Sequence, residues 1–355
     1  MGAKDMRPSW IDPNRGRQPA TASGRLVRLT VNSEVLRDNY LGDPFVRELP
    51  VYLPPGYDEE ADRRYPVAFY LTGYMGIGDS KLQWKGFAPT FPERLDRLIA
   101  DGEIGPVIVA FPDCFTTLGG SQYINSTVTG AYDDHLNQEL VPLVDAECRT
   151  LEGRDHRAVF GKSSGGFGAI VQGMLHPETW GALACHSGDS YFEFCFLADL
   201  PRSLNAITKA GSVRRFLETY RDKNKHSSAA SHALMHLAMA ACFDPQPDHP
   251  DGFEMPVDLY TGRLIPERWE RWLAWDPVRM IPNYSEALSS MRALFIDCGT
   301  KDQYHLHYGA RQMHQVLDDQ CIEHRFEEFD DNHSGIDYRI AASLKVLYPA
   351  IAATA

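Results

Sequence analysis

The sequence contains no long hydrophobic segment and no run of basic residues. No stretch of about 18 apolar residues, the length that spans a bilayer, occurs in it, and the N-terminal residues lack the apolar core of a signal peptide. We therefore predict no membrane span and expect a cytoplasmic location. The formal net charge of -13 repels phosphate backbones and anionic headgroups, so nucleic acid is not an expected partner.

Cysteine pairs with a metal-binding or disulfide spacing are also absent. The seven cysteines are scattered along the chain and include no C-x-x-C pair, which is typical of reduced thiols. His232 and His236 stand four residues apart on a predicted helix, but no third ligand accompanies them. We accordingly expect no metal and no cofactor.

What the sequence does contain is enough apolar material for a large core. Hydrophobic residues make up 43% of the 355 residues and charged residues 23%, which is typical of a globular protein. The length suits one large α/β domain with an insertion better than two equal domains. Residues 1–24 show no hydrophobic periodicity and are predicted to form a flexible arm.

Two hydrophobic patterns indicate the strands. RLVRLTVNSEV and FVRELPVYLPPGY alternate apolar with polar residues, which predicts antiparallel N-terminal strands. Later segments are apolar at consecutive positions, which predicts strands covered on both faces: YPVAFYLTG, GPVIVAFPD, HRAVFGKS, GALACHSGD and RALFIDCGT. Helices are predicted between these strands, at residues 91–101, 132–148 and 165–175. After them we predict a helix at 304–317, a last strand, EHRFEEFD, and a final helix at 336–351. This alternation predicts the α/β class with a mostly parallel, doubly wound sheet.

One long segment interrupts the alternation. Residues 190–288 contain helical patterns, a Pro/Asp-rich loop and the aromatic stretch ERWERWLAWDP, but no convincing buried strand. We predict a largely helical cap inserted into a core formed by residues 25–189 and 289–355.

The segment VFGKSSGGFGAI holds the strongest candidate for chemistry. Gly161-Lys162-Ser163-Ser164-Gly165 matches G-x-S-x-G between a predicted strand and a predicted helix, a context in which the central serine is lifted above the sheet. Only Ser163 has glycine two residues away on both sides, so we assign the nucleophile to it. The backbone N–H of Ser164 would form one half of an oxyanion hole.

A serine nucleophile needs a base and an acid that orients the base. His333 lies in the polar loop FDDNHSGID, between the last strand and the last helix, whereas His305, His307, His314 and His324 are expected to be surface or packing residues. The segment FIDCGTKDQY offers two acids. Asp302 lies beyond the carboxyl end of its strand, where catalytic groups of open α/β sheets are found, and Asp297, inside the strand, is the fallback. The N–H of Tyr74, after YPVAFYLTG, is the candidate for the second oxyanion donor.

Several segments together resemble the esterase D-like family of α/β-hydrolases. They are VYLPPGYDEEADRRYPVAFYLTGYMG, SQYINSTVTGAYDDHLNQELVPLVD, GKSSGGFGAI, IDCGTKDQY and DNHSG. The family includes feruloyl and acetyl-xylan esterases, S-formylglutathione hydrolases and antigen 85 mycolyltransferases. The resemblance implies the α/β-hydrolase fold, the triad of Ser163, Asp302 and His333, and an oxyanion hole formed by Tyr74 and Ser164. The chain departs from the family pattern at Ser164, where relatives more often have Met.

These observations predict a serine carboxylesterase that acts on a small-molecule ester through an acyl-enzyme. Acyl transfer to another alcohol would use the same triad, and a hydrolase fold without catalysis would serve as a binding protein. Aromatic residues of the insertion either line the substrate pocket or attach the cap to the sheet. The pocket candidates are Tyr123, Asn125, Tyr191 and Trp272. The sequence leaves open whether the chain forms a homo-oligomer.

Overall fold

The computed structural model describes residues 23–84 and 86–353, so most of the predicted arm, residues 1–22, lies outside the described residues. The central sheet has eight strands. They are Arg25–Asn32 (β1), Val46–Leu53 (β2), Val67–Leu71 (β3), Ile108–Ala110 (β4), Arg157–Lys162 (β7), Ala182–His186 (β8), Ala293–Gly299 (β9) and Arg325–Phe329 (β10). A separate two-stranded ribbon consists of Asn125–Ser126 (β5) and Gly130–Ala131 (β6).

The strand order of the large sheet is β1-β2-β4-β3-β7-β8-β9-β10. The first two strands pair antiparallel with each other, and β2 pairs antiparallel with β4, whereas all later neighbours are parallel. Chain order and spatial order cross at β3 and β4: the chain enters at the β1 edge, forms β3 before β4, and then continues from β7 to the opposite edge at β10. The α/β-hydrolase fold, with antiparallel N-terminal strands and a mostly parallel sheet, is confirmed.

Helices cover both faces of this sheet. They run over Phe91–Ala100 (α1), Tyr132–Asp134 (α2), Val141–Glu147 (α3), Ser164–Leu175 (α4), Phe192–Cys195 (α5), Leu200–Ala210 (α6), Val213–Arg221 (α7), Ser228–Phe243 (α8), Pro266–Leu273 (α9), Pro277–Met280 (α10), Ser285–Ser289 (α11), Leu306–Asp319 (α12) and Ile340–Ile351 (α13). Short 3₁₀ turns occupy Gly78–Lys81, Arg154–His156, Leu197–Asp199, Ile281–Asn283 and Ile336–Arg339.

Successive side chains of the central strands point to opposite faces of the sheet and so join two different hydrophobic cores. In β3, Val67, Phe69 and Leu71 join the core beneath α3, α4 and α12, while Ala68 and Tyr70 join the core beneath α1 and α13. All five are fully buried. The consecutive apolar positions in the sequence therefore correspond to a strand that is covered on both faces.

The structure departs from the predicted helix at residues 132–148. A π-helical turn, His135–Leu140, separates α2 from α3. Within this turn the Glu139 carboxylate accepts the His135 Nδ1 proton at 2.6 Å and the backbone N–H groups of Glu34 and Val35 at 2.7 and 3.1 Å. The wider turn thus ties the helix to the loop after β1, a long-range contact that the local hydrophobic pattern does not contain.

The segment between β8 and β9 folds into helices α5 to α11. Its aromatic residues form one cluster that reaches the core: Phe192 stacks on Phe243 at 5.3 Å between ring centroids, and Phe243 meets Phe167 of α4 at 5.8 Å. Trp272 packs edge-on against Phe196 at 5.8 Å. These side chains attach the insertion to the helix that follows Ser163.

Asp276 joins the start of this insertion to α10. Its fully buried carboxylate accepts the N–H groups of Tyr191 and Phe192 at 3.0 and 2.8 Å, and that of Val278 at 3.0 Å. Burial raises the pKa of Asp276, against the effect of these three hydrogen bonds. The carboxylate therefore holds the start of α10 beside the start of α5.

Two sequence expectations concern the whole chain. All seven cysteines are free thiols, and six of them are buried, Cys321 being the exposed one. In the part of the chain that the structure describes, no helix has the length and apolar character needed to cross a membrane.

Replacing Asp276 by alanine is expected to lower the free energy of unfolding by about 3 kcal/mol, because three N–H groups, one buried and two partly buried, lose their acceptor. Urea unfolding followed by tryptophan fluorescence measures this change. Asp276→Asn, which keeps one acceptor oxygen, should lose less. The exposed Glu59→Ala variant serves as the control and should change by less than about 0.5 kcal/mol. Equal losses in Asp276→Ala and Glu59→Ala would contradict the role of Asp276.

Candidate active site

Ser163 lies on the sharp turn between β7 and α4. Its backbone has φ 61° and ψ −126°, which is a strained conformation for a residue with a side chain. The turn is held on both sides: the Ser163 N–H donates to the His186 carbonyl at 2.9 Å, and the Ser163 carbonyl accepts the Phe167 N–H at 2.9 Å. The strand-turn-helix context that the motif predicts is therefore present.

The glycines that flank Ser163 allow this turn to approach β3. A Cβ on Gly165 would lie 2.0 Å from the Leu71 carbonyl oxygen, and one on Gly161 would lie 2.4 Å from the Gly165 carbonyl oxygen. Real side chains never come this close, so both positions exclude any larger residue. The glycines serve close packing.

His333 and Asp302 come together from the loops that follow β10 and β9. The His333 Nδ1 lies 2.7 Å from the Asp302 Oδ2, and the Tyr304 N–H donates to the other carboxylate oxygen at 2.9 Å. Burial pushes the pKa of Asp302 upward, but the hydrogen bond and charge of His333 outweigh it and hold the pKa below its usual range. Gln303 Oε1 accepts the His333 N–H at 3.0 Å. His333 is thus held through its ring and through its backbone N–H.

Ser163 and His333 open into one cavity of about 270 Å³ between the core and the insertion. The core contributes Gly73, Tyr74, Met75, Lys162, Asp189, Tyr304 and Leu306 to its walls, and the insertion contributes Cys195, Phe196, Ser231, His232 and Met235. Its lining includes both apolar side chains and several ionisable groups. A small organic molecule fits a space of this kind.

Two backbone N–H groups border Ser163. The loop after β3 passes close by, because a Cβ on Gly73 would lie 3.2 Å from the Ser163 Cβ. The Tyr74 N–H donates to no acceptor among the residues that the structure describes, and the Tyr74 hydroxyl is anchored on the Leu118 carbonyl at 2.7 Å. Ser164 is the first residue of α4, where helical N–H groups have no partner within the helix.

Asp297, the fallback acid, belongs to a different hydrogen-bond chain. Its Oδ1 lies 2.7 Å from the His186 Nδ1, and the His186 Nε2 lies 2.8 Å from the Ser343 Oγ. The Arg339 Nε donates to the second oxygen of Asp297 at 2.7 Å. Asp297, His186 and Ser343 are buried, and none of the three borders the cavity that Ser163 lines. This serine-histidine-aspartate chain has no room for a substrate.

The structure places the four pocket candidates outside the cavity. Tyr123 is buried, with its hydroxyl donating to the Thr72 carbonyl at 2.7 Å. Asn125 is exposed, and its side-chain oxygen accepts the N–H groups of Asp133 and Asp134 at 3.1 Å at the start of α2. Both residues support the loop that packs beside α4.

Tyr191 and Trp272 also contribute to packing within the insertion. The Tyr191 ring packs against Phe194 at 4.6 Å, and its backbone is held by Asp276. Trp272 is fully buried in the aromatic cluster of the insertion. The expectation that these residues line the pocket is corrected: aromatic residues of this segment mainly attach the insertion, and Phe196 is the one that borders the cavity.

Sequence reasoning missed two ionisable residues of the cavity wall. Asp189 lies three residues beyond the end of β8. An acidic residue close to the end of a buried strand was the signal that could have identified it. Lys162 stands beside the nucleophile. Burial, and secondarily the charge of Lys81, lowers the pKa of Lys162 to about 8, although Asp302 and Asp189 oppose the shift.

Other histidines form separate clusters. His232 Nδ1 lies 2.8 Å from Asp199 Oδ2 at the cavity wall, and the buried His236 bonds to Ser203 Oγ and the Phe196 carbonyl. Outside the cavity, ligand atoms of His314, Asp318 and His324 lie within 4.8 Å of one another, and these residues could hold a metal ion. The predicted pair His232 and His236 does not form such a cluster among the described residues.

Comparison with known proteins gives a match over most of the chain. A family model described as Putative esterase matches residues 46–341. An endo-1,4-beta-xylanase/feruloyl esterase of Xylanibacter ruminicola is 31% identical over 146 residues, which are 40% of this chain and 19% of that protein. The aligned part is therefore about a fifth of the length of this relative.

Solved structures share the architecture. A ferulic acid esterase of Anaeromyces mucronatus in complex with ferulic acid is 17% identical with a TM-score of 0.55, covering 96% of this chain and 94% of that one. A substrate-bound fluorophosphonate-binding serine hydrolase of Staphylococcus aureus is 13% identical with a TM-score of 0.57, covering 91% and 97%. An S-formylglutathione hydrolase of Agrobacterium tumefaciens is 14% identical with a TM-score of 0.52, covering 91% and 92%. At these identities the likeness shows the fold.

Replacing Lys162 by methionine is expected to raise the free energy of unfolding at pH 7 by about 1–2 kcal/mol. Below pH 8 the native state must hold a charged ammonium in a partly buried place, whereas the unfolded chain hydrates it freely. Between pH 8 and pH 10.5 only the unfolded chain stays protonated, so the stability of the unchanged protein rises with pH and the advantage of the variant shrinks. Urea unfolding at several pH values measures both effects.

The exposed Lys301, which pairs with Asp330, provides the matched control. Lys301→Met should show no gain in stability at pH 7. A constant difference between Lys162→Met and the unchanged protein from pH 7 to pH 10 would contradict the depressed pKa of Lys162.

Proposed function

We propose that this chain, which belongs to the family described as Putative esterase, is a serine carboxylic ester hydrolase with Ser163 as nucleophile, His333 as base and Asp302 as acid. The N–H groups of Tyr74 and Ser164 are the proposed oxyanion donors. The observation that carries this proposal is the placement of Ser163, in a strained turn, at the same cavity as a histidine whose Nδ1 lies 2.7 Å from Asp302.

The proposed reaction proceeds in two stages. The Ser163 oxygen attacks the carbonyl carbon of the ester while its proton passes to the free Nε2 of His333. The negative charge on the former carbonyl oxygen is stabilised by the N–H groups of Tyr74 and Ser164. As the C–O bond to the alcohol breaks, the imidazolium of His333 protonates the leaving alkoxide, and an acyl-Ser163 ester remains.

Water completes the cycle. His333 takes a proton from the water molecule as its oxygen attacks the acyl carbon, and returns a proton to the Ser163 oxygen when the carboxylic acid leaves. Asp302 holds the Nδ1 proton throughout, which keeps the imidazole in the required tautomer and stabilises its charged form. The depressed pKa of Asp302 supports this role, because an ionised carboxylate is what the imidazolium needs.

The proposed substrate is a small-molecule carboxylic ester. The cavity of about 270 Å³ has an apolar wall, with Phe196, Met235 and Leu306 among its residues. Such a wall accommodates a short or aromatic carbon skeleton next to the ester group.

We expect a fluorophosphonate to form a covalent adduct on Ser163, detected by mass spectrometry of the proteolysed protein. Ser163→Ala should lose the adduct and lower the turnover of p-nitrophenyl acetate by about a thousandfold or more. Ser343→Ala is the matched control, since the hydroxyl of Ser343 has a histidine partner but lies outside the cavity. This variant should keep the adduct. Full turnover by Ser163→Ala would overturn the assignment.

Two conservative substitutions test whether Asp302 or Asp297 is the catalytic acid. Asp302→Asn should lower kcat by about a thousandfold to ten-thousandfold, because the amide cannot stabilise the required tautomer of His333. Asp297→Asn should instead destabilise the protein by about 3–5 kcal/mol, because it weakens a buried ion pair with Arg339, and change kcat of the folded protein less than about tenfold. Measurements of kcat and of unfolding for both variants check this. The reverse pattern would assign the catalytic acid to Asp297.

A further inference from the structure

A second carboxylate borders the cavity besides the one that holds His333. Asp189 lies three residues after β8 ends, has 6% of its surface exposed, and lines the same wall as Ser163. The proposed mechanism gives this residue no task. A buried carboxyl group next to a reactive serine costs free energy unless its polar atoms are satisfied.

Asp189 is held in place through only one of its oxygens. The Ser164 Oγ donates to Asp189 Oδ2 at 2.9 Å, and the Gln122 Nε2 donates to the same atom at 3.0 Å. Within residues 23–84 and 86–353, no donor forms a hydrogen bond with Oδ1. The fixed carboxyl group therefore presents one free oxygen at the cavity wall.

The neighbours of Asp189 show how this arrangement is built. Gln122 and Tyr123 both have positive φ, 53° and 58°, which is costly for residues with side chains and delivers the Gln122 amide to the carboxylate. The Ser164 hydroxyl, at the start of α4, forms the second anchor. Both anchoring residues are buried. A strained turn and the first residue of α4 thus converge on Asp189.

The chemistry of the free oxygen limits what it binds. Burial raises the pKa of Asp189, while the hydrogen bonds from Gln122 and Ser164 and the charge of His333 lower it. A hydroxyl group donates to the carboxylate and accepts from the carboxylic acid, so it fits either state. An apolar group would leave Oδ1 desolvated without a partner, and an anionic group would be repelled by Asp189 and Asp302.

We propose that Asp189 is a specificity-determining residue that binds a hydroxyl group of the ester, so that the enzyme prefers hydroxylated esters to their unsubstituted counterparts. Ser164 and Gln122 are positioning residues that aim the carboxyl group at this hydroxyl. The inference rests on the proposed function, since it takes the cavity of Ser163 and His333 as the ester site. It adds the chemical class of the substrate, which the triad does not determine.

The test separates binding from turnover by using Ser163→Ala, which cannot form the acyl-enzyme. Isothermal titration measures the affinity of three matched ester pairs: methyl phenylpropanoate and its para-hydroxyphenyl analogue, ethyl butanoate and ethyl beta-hydroxybutanoate, and propyl and hydroxyethyl butanoate. At least one hydroxylated ester should bind about tenfold more tightly than its partner. Adding Asp189→Ala should bring that ratio close to one.

Further variants keep the result interpretable. Asp189→Asn preserves the side-chain volume and should also reduce the affinity ratio, so it replaces Asp189→Ala if that variant fails to fold. Ser164→Ala should reduce the ratio in part. Asp133→Ala is the matched control, because Asp133 is also a buried, hydrogen-bonded carboxylate but does not line the cavity. It should leave the ratio unchanged.

The outcomes for Asp189 and for Ser163 are independent. A ratio near one in all pairs, or a preference that survives both Asp189 substitutions, would overturn the role of Asp189 even if fluorophosphonate labels Ser163. A ratio that depends on Asp189 while Ser163 stays unlabelled would support the hydroxyl site and refute the nucleophile. For the active protein, the same preference should appear in kcat/KM of each pair.

Discussion

The candidate active site depends on one close approach, that of the turn after β7 to the end of β3. Gly165 and Gly161 leave no space for a Cβ between the start of α4 and the Leu71 carbonyl. The residue between the strand and the helix must therefore turn sharply, and Ser163 adopts φ 61°. Its side chain is lifted to the carboxyl edge of the sheet, which is where the loops after β9 and β10 bring Asp302 and His333 together.

This dependence on strand ends explains what the sequence could predict. Ser163, Asp302 and His333 each lie just beyond a strand, and hydrophobic runs identify the strands, so the sheet and the candidate triad were accessible from local patterns. The residues of the cavity walls could not be predicted from local patterns. Whether Trp272 or Phe196 faces the substrate depends on how α5, α8 and α9 pack on α4, which is a long-range property. The π-helical turn at His135–Leu140 was not predicted, for the same reason.

Two sets of serine, histidine and aspartate in one molecule show what makes such a group a candidate for catalysis. The chain of Ser343, His186 and Asp297 has hydrogen bonds of 2.7 and 2.8 Å, as good as those expected of a working triad. It is buried, and His186 supports the turn of Ser163 through its carbonyl oxygen. The hydrogen-bond pattern alone therefore does not define the site; the opening toward a cavity and an oxyanion position complete it.

The carboxylate of Asp276 gives the insertion a property that its helices alone would not have. Because this side chain binds the N–H groups of Tyr191 and Phe192, the segment between these residues and Asp276 is closed at its base. A segment closed in this way can change in length without shifting the strands on either side. The far wall of the cavity can therefore change without altering the register of the elements that carry Ser163, Asp302 and His333.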